Sequence, residues 1–306
     1  MPEQTSFTFK VSQEQIKLLR KRLEELDFEF KETPYAHFGA HKKKLTVNAY
    51  TSGKLLVQGK GAKEFVEFTL EPEILGEARV GYDEVHNPEM FQPHMGIDES
   101  GKGDFFGPLV IAGAYVDKEL AYKLMEMGVK DSKQISSDKK ARDMADTIKD
   151  VLCHRWNVVA IGPEKYNELY KKFVNLNKLL AWGHATVIEN MLARVPECPR
   201  ALSDQFANPK LIERALKEKG KGIKLQQRTK AESDIAVAAA SILARAEFLT
   251  RLERLGKEAG KTLPKGAGSE AKGVGVEIAQ AFGEEGLKKM AKAHFKTFKE
   301  CLSGSG

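Results

Sequence analysis

Four carboxylates stand out by their places in the 306-residue chain. Asp98 and Glu99 sit where the apolar run Met95-Gly96-Ile97 meets a glycine-rich turn. Asp204 lies inside the short apolar segment Ala201–Phe206, and Asp234 follows Ser233 at the head of an alanine-rich stretch. A charge within a central strand is costly unless it is paired or bound to a metal. An adjacent Asp-Glu at a strand end can aim both carboxylates at one point, because the backbone bends there. Such hard oxygen ligands suit Mg²⁺ or Mn²⁺. Two such ions about 3.5–4 Å apart activate a water and stabilise the leaving oxygen of a phosphodiester. Each acid also has a structural reading. Asp234 is a favourable charge at a helix N-terminus, Glu99 a turn residue, and Asp204 the partner of a lysine.

The elements that must hold these groups follow from patterning. Leu109–Val116 reads as a buried strand, Trp156–Ile161 as another, and Ala201–Phe206 and Gly222–Gln227 as short ones. Helices are expected over Ser136–Val151, Pro163–Arg194, the neighbourhood of Pro209–Lys219, Ser233–Leu255 and Glu277–Leu302. Ala236, Ala239, Ala240 and Ala244 give the fourth of these a small-residue face, which lets it approach a sheet closely. Strands alternating with helices place this part of the chain in the α/β class. Upstream, Phe7–Val11 alternates as a strand. Ser12 and Gln15 form a capping box ahead of Ile16, Leu19, Leu23 and Leu26. A lysine-rich turn, the strand Leu45–Tyr50, the hairpin turn Thr51–Lys54, the strand Leu55–Gln58 and a helix over Ala62–Phe68 complete a small α+β domain. Tyr50 and Phe38 read as core-packing aromatics. Glu71–Pro93 holds three prolines and six acids and reads as a linker. The division is therefore 1–75, a linker over 76–93, and 94–306.

Composition narrows the classes. A 42% hydrophobic fraction is enough for a core, and the longest apolar stretches fall far short of the roughly 18 residues a spanning helix needs. Three cysteines without a CxxC spacing argue against a disulfide scaffold or a cysteine zinc site, and fit a cytoplasmic protein. His37 and His41 lack a third ligand. His184 reads as a helix-packed histidine, and His294 as a surface or phosphate-facing one. The net charge of +6 is modest, but it is concentrated. Lys31–Lys63 holds seven lysines and one acid, and Lys210–Lys230 eight basic residues and two acids. Such clusters suit a phosphate backbone or a solvated face.

The run Gly96-Ile97-Asp98-Glu99-Ser100-Gly101-Lys102-Gly103-Asp104-Phe105-Phe106-Gly107-Pro108-Leu109 closely resembles the signature of type 2 ribonucleases H, the ribonuclease HIII branch in particular. Lys130-Asp131-Ser132-Lys133, Ser203–Ala207 and Glu232–Ala244 resemble that family's later motifs, in family order. The resemblance implies a ribonuclease H-like domain, a mixed central sheet flanked by helices. It also implies two divalent ions, Mg²⁺ or Mn²⁺, and endonucleolytic cleavage of the RNA strand of RNA–DNA hybrids to 5′-phosphate and 3′-hydroxyl ends. The family's catalytic, metal-holding acids fall on Asp98, Glu99, Asp204 and Asp234. Asp98 would bridge both ions, Glu99 and Asp204 would hold the one near the leaving group, and Asp234 the one near the attacking water. The ribose-reading Gly-Lys-Gly falls on Gly101, Lys102 and Gly103, and Lys133 is a phosphate contact.

Ala49–Lys63 resembles one repeat of the TATA-box-binding-protein fold, an added domain of ribonuclease HIII. In that setting Lys42, Lys43, Lys44, Lys54 and Lys60 would meet the backbone of the hybrid. The neighbouring ribonuclease HII family carries Lys-Gly-Tyr-Gly late in the chain, with a tyrosine stacked at RNA–DNA junctions. Here the stretch is Pro264-Lys265-Gly266-Ala267-Gly268. The competing readings are ribonuclease HII-like cleavage at single embedded ribonucleotides and a non-catalytic hybrid-binding protein. Neither a membrane nor an obligate protein partner is implied.

Overall fold

The computed structural model describes residues 5–76, 87–129, 135, 137–205, 210–229 and 231–303. Contacts divide the chain into two units, Met1–Glu89 and Met90–Gly306, and each holds its own apolar core.

In the first unit, β1 (Ser6–Lys10), β2 (Glu29–Lys31), β3 (Ala36–Lys42), β4 (Leu45–Tyr50) and β5 (Lys54–Gly59) form an antiparallel sheet in the order β1-β5-β4-β3-β2. Strand alternation turns Phe7, Phe9, Phe38, Ala40, Val47, Ala49, Leu55 and Val57 to one face. There they share a core with Ile16, Leu19 and Leu23 of α1 (Gln13–Glu25). Both bonds of the Ser12–Gln15 capping box are present. The opposite face carries Thr8, Lys10, Lys54, Gln58, Thr46, Asn48 and His41, with half-exposed Tyr50 among them. Tyr50 therefore does not join the core, although Phe38 does. A sheet with helices on one face is consistent with the TATA-box-binding-protein-like expectation.

The lysine-rich stretch is more structured than a turn, since it contributes β2, β3 and the tight Lys43-Lys44 corner. A Cβ at Gly59 would lie 1.8 Å from the Lys44 carbonyl oxygen, so only glycine lets that corner close. The helix α2 (Ala62–Phe65) runs on as a π-helix over Val66–Leu75. This corrects the linker reading of 71–75. Leu70, Glu71 and Ile74 are buried, and the first unit's core includes Leu70 and Ile74. At the other end of the proposed linker, Met90 and Phe91 are buried in a single 3₁₀ turn and belong to the second core. Residues 77–86 lie outside the described set.

The second unit is built on β6 (His94–Ser100), β7 (Leu109–Val116), β8 (Trp156–Ile161), β9 (Arg200–Asp204) and β10 (Lys224–Arg228), ordered β10-β9-β6-β7-β8. β6 is central, parallel to β9 and antiparallel to β7. The helices are α3 (Lys118–Glu126), α4 (Asp138–Leu152), α5 (Pro163–Phe173), α6 (Leu176–Leu192), α7 (Lys210–Ala215), α8 (Ile235–Ala259), α9 (Ser269–Met290) and α10 (Lys296–Ser303). The α3 helix, capped by Asp117, has no sequence expectation behind it. The expected helix over Pro163–Arg194 is two. Val174 takes a left-handed φ of 55° and Asn175 caps the next helix. The carboxy-terminal helix also breaks, at Gly283 (φ 67°) and again between Met290 and Lys296.

Two helices grip opposite faces of the sheet through glycines. A Cβ at Gly96 would fall 2.1 Å from the Val237 nitrogen, so the first turn of α8 rests directly on β6. Gly113 meets Val187, and Gly183 meets Ile111, which seats α6 on the other face.

Candidate active site

Asp98 is the first half-exposed residue after four buried ones on β6. The parallel register pairs Gly96 with Leu202 and Ile97 with Ser203. One step further, Asp98 and Asp204 stand at the carboxyl ends of neighbouring strands, on the face that α8 covers. Asp234 joins that face as the N-cap of α8. Its Oδ1 accepts from the backbone N–H of Ala236 at 2.9 Å and of Val237 at 3.3 Å. Gly96 makes this close approach possible. Asp204 Oδ1 accepts from the Ala231 N–H at 3.3 Å, so it has a backbone partner where a lysine was the structural alternative.

Glu99 emerges on the other side of β6, opposite Ile111. Its Oε2 accepts from His184 Nε2 at 3.0 Å, and its Oε1 lies 3.5 Å from Lys102 Nζ. Burial and then the adjacent Glu99 charge push the Asp98 carboxyl up to about 6, against a hydrogen bond from Ser241. Burial also raises Glu99, but the hydrogen bond and charge of His184, with the Lys102 charge, outweigh it and hold Glu99 below the usual range. A carboxyl strained upward beside an ionised one, with oxygen donors only, is a setting that a hard divalent cation relieves. Among the described residues, no three His, Cys, Asp or Glu side chains converge into a preformed metal cage. Mg²⁺ requires no such cage, since it keeps several waters and takes one or two carboxylates together with substrate oxygens.

Two histidines complete the site and were not assigned to it from sequence. His94, fully buried at the start of β6, places Nδ1 2.7 Å from the Gln92 carbonyl. Its Nε2 lies 2.9 and 3.0 Å from the two Asp234 oxygens. His184 sits on a helix, as expected, but its ring is the partner of Glu99. No local spacing connects residue 94 to 234, or 99 to 184; only the sheet register does. His294 is not an open surface residue. It is half-buried, stacks on Tyr170 at 4.3 Å, and burial followed by the Lys292 charge pushes its pKa down to about 4.

The Gly101–Pro108 turn borders the acids. Gly101 has φ +87°, and a Cβ there would lie 2.2 Å from the Pro108 carbonyl oxygen. Gly103 differs: it is exposed, and nothing within 4 Å would meet a Cβ. The fold does not require glycine there, and the backbone at Gly103 is open to solvent. Lys133, its motif and Phe206-Ala207 lie outside the described residues. Of the amino-terminal lysines, Lys42 is committed to its own domain, donating to the Leu26 carbonyl at 2.5 Å where α1 ends. Lys43, Lys44 and Lys60 line a groove with Phe28, Phe65 and exposed Phe68. Lys54 stands on the open sheet face, opposite Lys10.

A family model described as Ribonuclease HII matches residues 95–298, and one described as a domain of unknown function matches 6–76. Ribonuclease HIII of Protochlamydia amoebophila is 49% identical, and that of Chlamydia pneumoniae 47%. In each comparison 94% of both chains is covered. The structure of Bst ribonuclease HIII in complex with Mn²⁺ has a TM-score of 0.69 at 29% identity, covering 98% of this chain and 99% of that one. Archaeoglobus fulgidus ribonuclease HII, solved with PCNA, has a TM-score of 0.55 at 28% identity and covers 67% of this chain against 95% of its own. The ribonuclease HIII relatives thus span both units, whereas this HII structure spans about two thirds of the chain. The chain belongs to the ribonuclease HIII family of type 2 ribonucleases H.

Proposed function

We propose that the chain hydrolyses the RNA strand of RNA–DNA hybrids, leaving 5′-phosphate and 3′-hydroxyl ends, with Asp98, Glu99, Asp204 and Asp234 holding two divalent ions. The observation that carries this reading is the placement of Asp98, Asp204 and Asp234 on one face of the sheet, with Asp98 at the edge of the turn that exposes Gly103. Bound Mg²⁺ or Mn²⁺ would supply an activated water and stabilise the leaving oxygen. Asp98 would bridge the ions, Glu99 and Asp204 would hold one of them, and Asp234 the other. His94 fixes the Asp234 carboxylate, and His184 fixes Glu99, as partners that orient ligands.

The open backbone at Gly103, with Gly101 and Lys102, lies against a ribose, where the 2′-hydroxyl distinguishes RNA from DNA. The amino-terminal unit, residues 1–75, holds the hybrid backbone through its locally clustered Lys43, Lys44, Lys54 and Lys60, and residues 94–306 cut it. Lys133 is a further phosphate contact. Ala267 offers no ring to stack at a junction, which favours hybrid tracts over single embedded ribonucleotides. The three cysteines are free, which suits the reducing cytoplasm, and no described helix is long and apolar enough to cross a membrane.

The test is a hybrid labelled uniformly in RNA, incubated with Mg²⁺ or Mn²⁺ and with EDTA. Shortening of the RNA that EDTA abolishes supports the proposal, whereas binding without shortening supports a non-catalytic module. A second duplex carrying one ribonucleotide separates the specificities, because efficient cutting beside that residue contradicts the reading of Ala267.

A further inference from the structure

The exposed Gly103 must present its backbone in one orientation to read a ribose, yet nothing lies within 4 Å of where a side chain on it would begin. Its conformation therefore has to be set from its flanks. Upstream, Gly101 is pinned by the Pro108 carbonyl, and the Asp104 N–H donates to the Gly101 carbonyl at 3.3 Å. Downstream, the turn is held by a residue nearly two hundred positions away.

Lys292 is fully buried. Its Nζ donates to the carbonyls of Asp104 at 2.8 Å, Gly107 at 2.8 Å and Phe106 at 3.4 Å. Its own N–H donates to the Phe105 carbonyl at 2.9 Å. A lysine ammonium carries three donors and no acceptor, so three carbonyls use all of it. Such a buried charge would be costly if it were not fully hydrogen-bonded. A core position here would be served by an apolar side chain, as at Ala291 and Leu287, unless the turn needs the donors.

We infer that Lys292 is a positioning residue for substrate recognition, its ammonium gathering the carbonyls of Asp104, Phe106 and Gly107 and so fixing the backbone that Gly101–Gly103 offers to the ribose. This rests on the proposed role of that turn. Burial pushes Lys292 down to about 7, with Asp104 opposing. The other groups facing it are the ring of Tyr166, 5.6 Å from Nζ and raised by burial, and His294, already neutral above about 4. Between pH 6 and 9 the member of this cluster with a shifted proton affinity in range is thus Lys292. As a neutral amine it has two donors for three carbonyls, and one carbonyl is released.

The experiment uses the full chain and three measurements. Lys292→Met is expected to raise the hybrid KM about tenfold, with kcat within about threefold and cooperative unfolding retained. A folded variant with wild-type KM, or one that loses only kcat, overturns the inference. Gly103→Ala tests the underlying reading. Unchanged KM there refutes the turn as a ribose reader. Raised KM there, with unchanged KM in Lys292→Met, refutes the clamp alone. If Lys292→Met does not fold, wild-type affinity decides, measured in EDTA for a hybrid and for DNA of the same sequence. The hybrid-to-DNA ratio is expected to fall several-fold from pH 6 to pH 9, and a flat ratio overturns the inference.

Discussion

Lys54 and Lys292 carry the same ammonium, yet one stands on an open strand face and the other is wholly buried among three carbonyls. The contrast extends to the rest of each unit. In the first, Lys43, Lys44, Lys54 and Lys60 are attached to a fold whose core does not use them. In the second, Asp98, Glu99, Asp234 and the histidines beside them are built into strand ends and a helix cap, where burial shifts their proton affinities or fixes their orientation. On the proposed reading, charges of the first kind supply affinity that salt screens. Charges of the second kind would supply chemistry, and the fold bears a cost for them.

The strongest way to break this comparison is Asp98→Asn. Loss of the acid that would bridge both ions removes several kcal/mol of transition-state stabilisation, or about 10³-fold in kcat. Hybrid binding in EDTA should change by less than about twofold. Near-wild-type cleavage in Mg²⁺ would sink the assignment of the site, and an equal loss of binding would sink the separation of the two roles.

The same variant should be more stable than wild type when both are metal-free. The native pKa of Asp98, about 6, lies above the ordinary 3.8, so the native state binds this proton more readily than the unfolded chain. The penalty is absent below about pH 4, grows as pH rises to about 6, and is fully present above. Two pKa units correspond to at most about 3 kcal/mol. Denaturant unfolding in EDTA at pH 7.5 should therefore favour Asp98→Asn, and the difference should shrink toward pH 4. A variant less stable than wild type at pH 7.5 would mean that the acid is not a buried burden.

Gly96→Ala tests the same economy through sterics. The added Cβ would sit 2.1 Å from the Val237 nitrogen, and forcing α8 away costs about 1–3 kcal/mol. It also moves Asp234 relative to Asp98. Activity is expected to fall by more than the fraction unfolded explains, and activity that follows the folded fraction alone would show that the helix seat does not set the site.

How legible this was depended on distance along the chain. The Ser12–Gln15 cap, the strands at Leu109–Val116 and Trp156–Ile161, and the N-terminal placement of Asp234 on its helix are local patterns, and a sequence displays them. The signature turn carried the family. What it did not display were pairings across the sheet. His94 meets Asp234, and His184 meets Glu99, only because β6 lies between β7 and β9 with α6 and α8 on opposite faces. Lys292 likewise reads as one more surface lysine until the turn folds over it. The continuation over Thr69–Leu75 was missed because Pro72 and acidic neighbours mask the buried Leu70 and Ile74, and α3 because its buried Leu120, Ala121 and Leu124 span little more than one helical turn.

The smallest effects belong to the amino-terminal lysines, and they sharpen the comparison because they should differ among themselves. Lys43→Ala, Lys44→Ala, Lys54→Ala and Lys60→Ala, combined, should raise the hybrid KM severalfold and leave kcat unchanged. They should also flatten the dependence of log affinity on log salt by about 0.9 for each phosphate contact removed. Lys42→Ala belongs to the other class, although it stands next in sequence. Its ammonium closes the carboxyl end of α1 at the Leu26 carbonyl. Its loss should therefore appear as about 1 kcal/mol of stability, with the salt slope unchanged. If Lys42→Ala flattens the slope as the others do, the ammonium leaves that carbonyl when nucleic acid arrives, and the line between charges that fold the chain and charges that bind its substrate runs through one side chain.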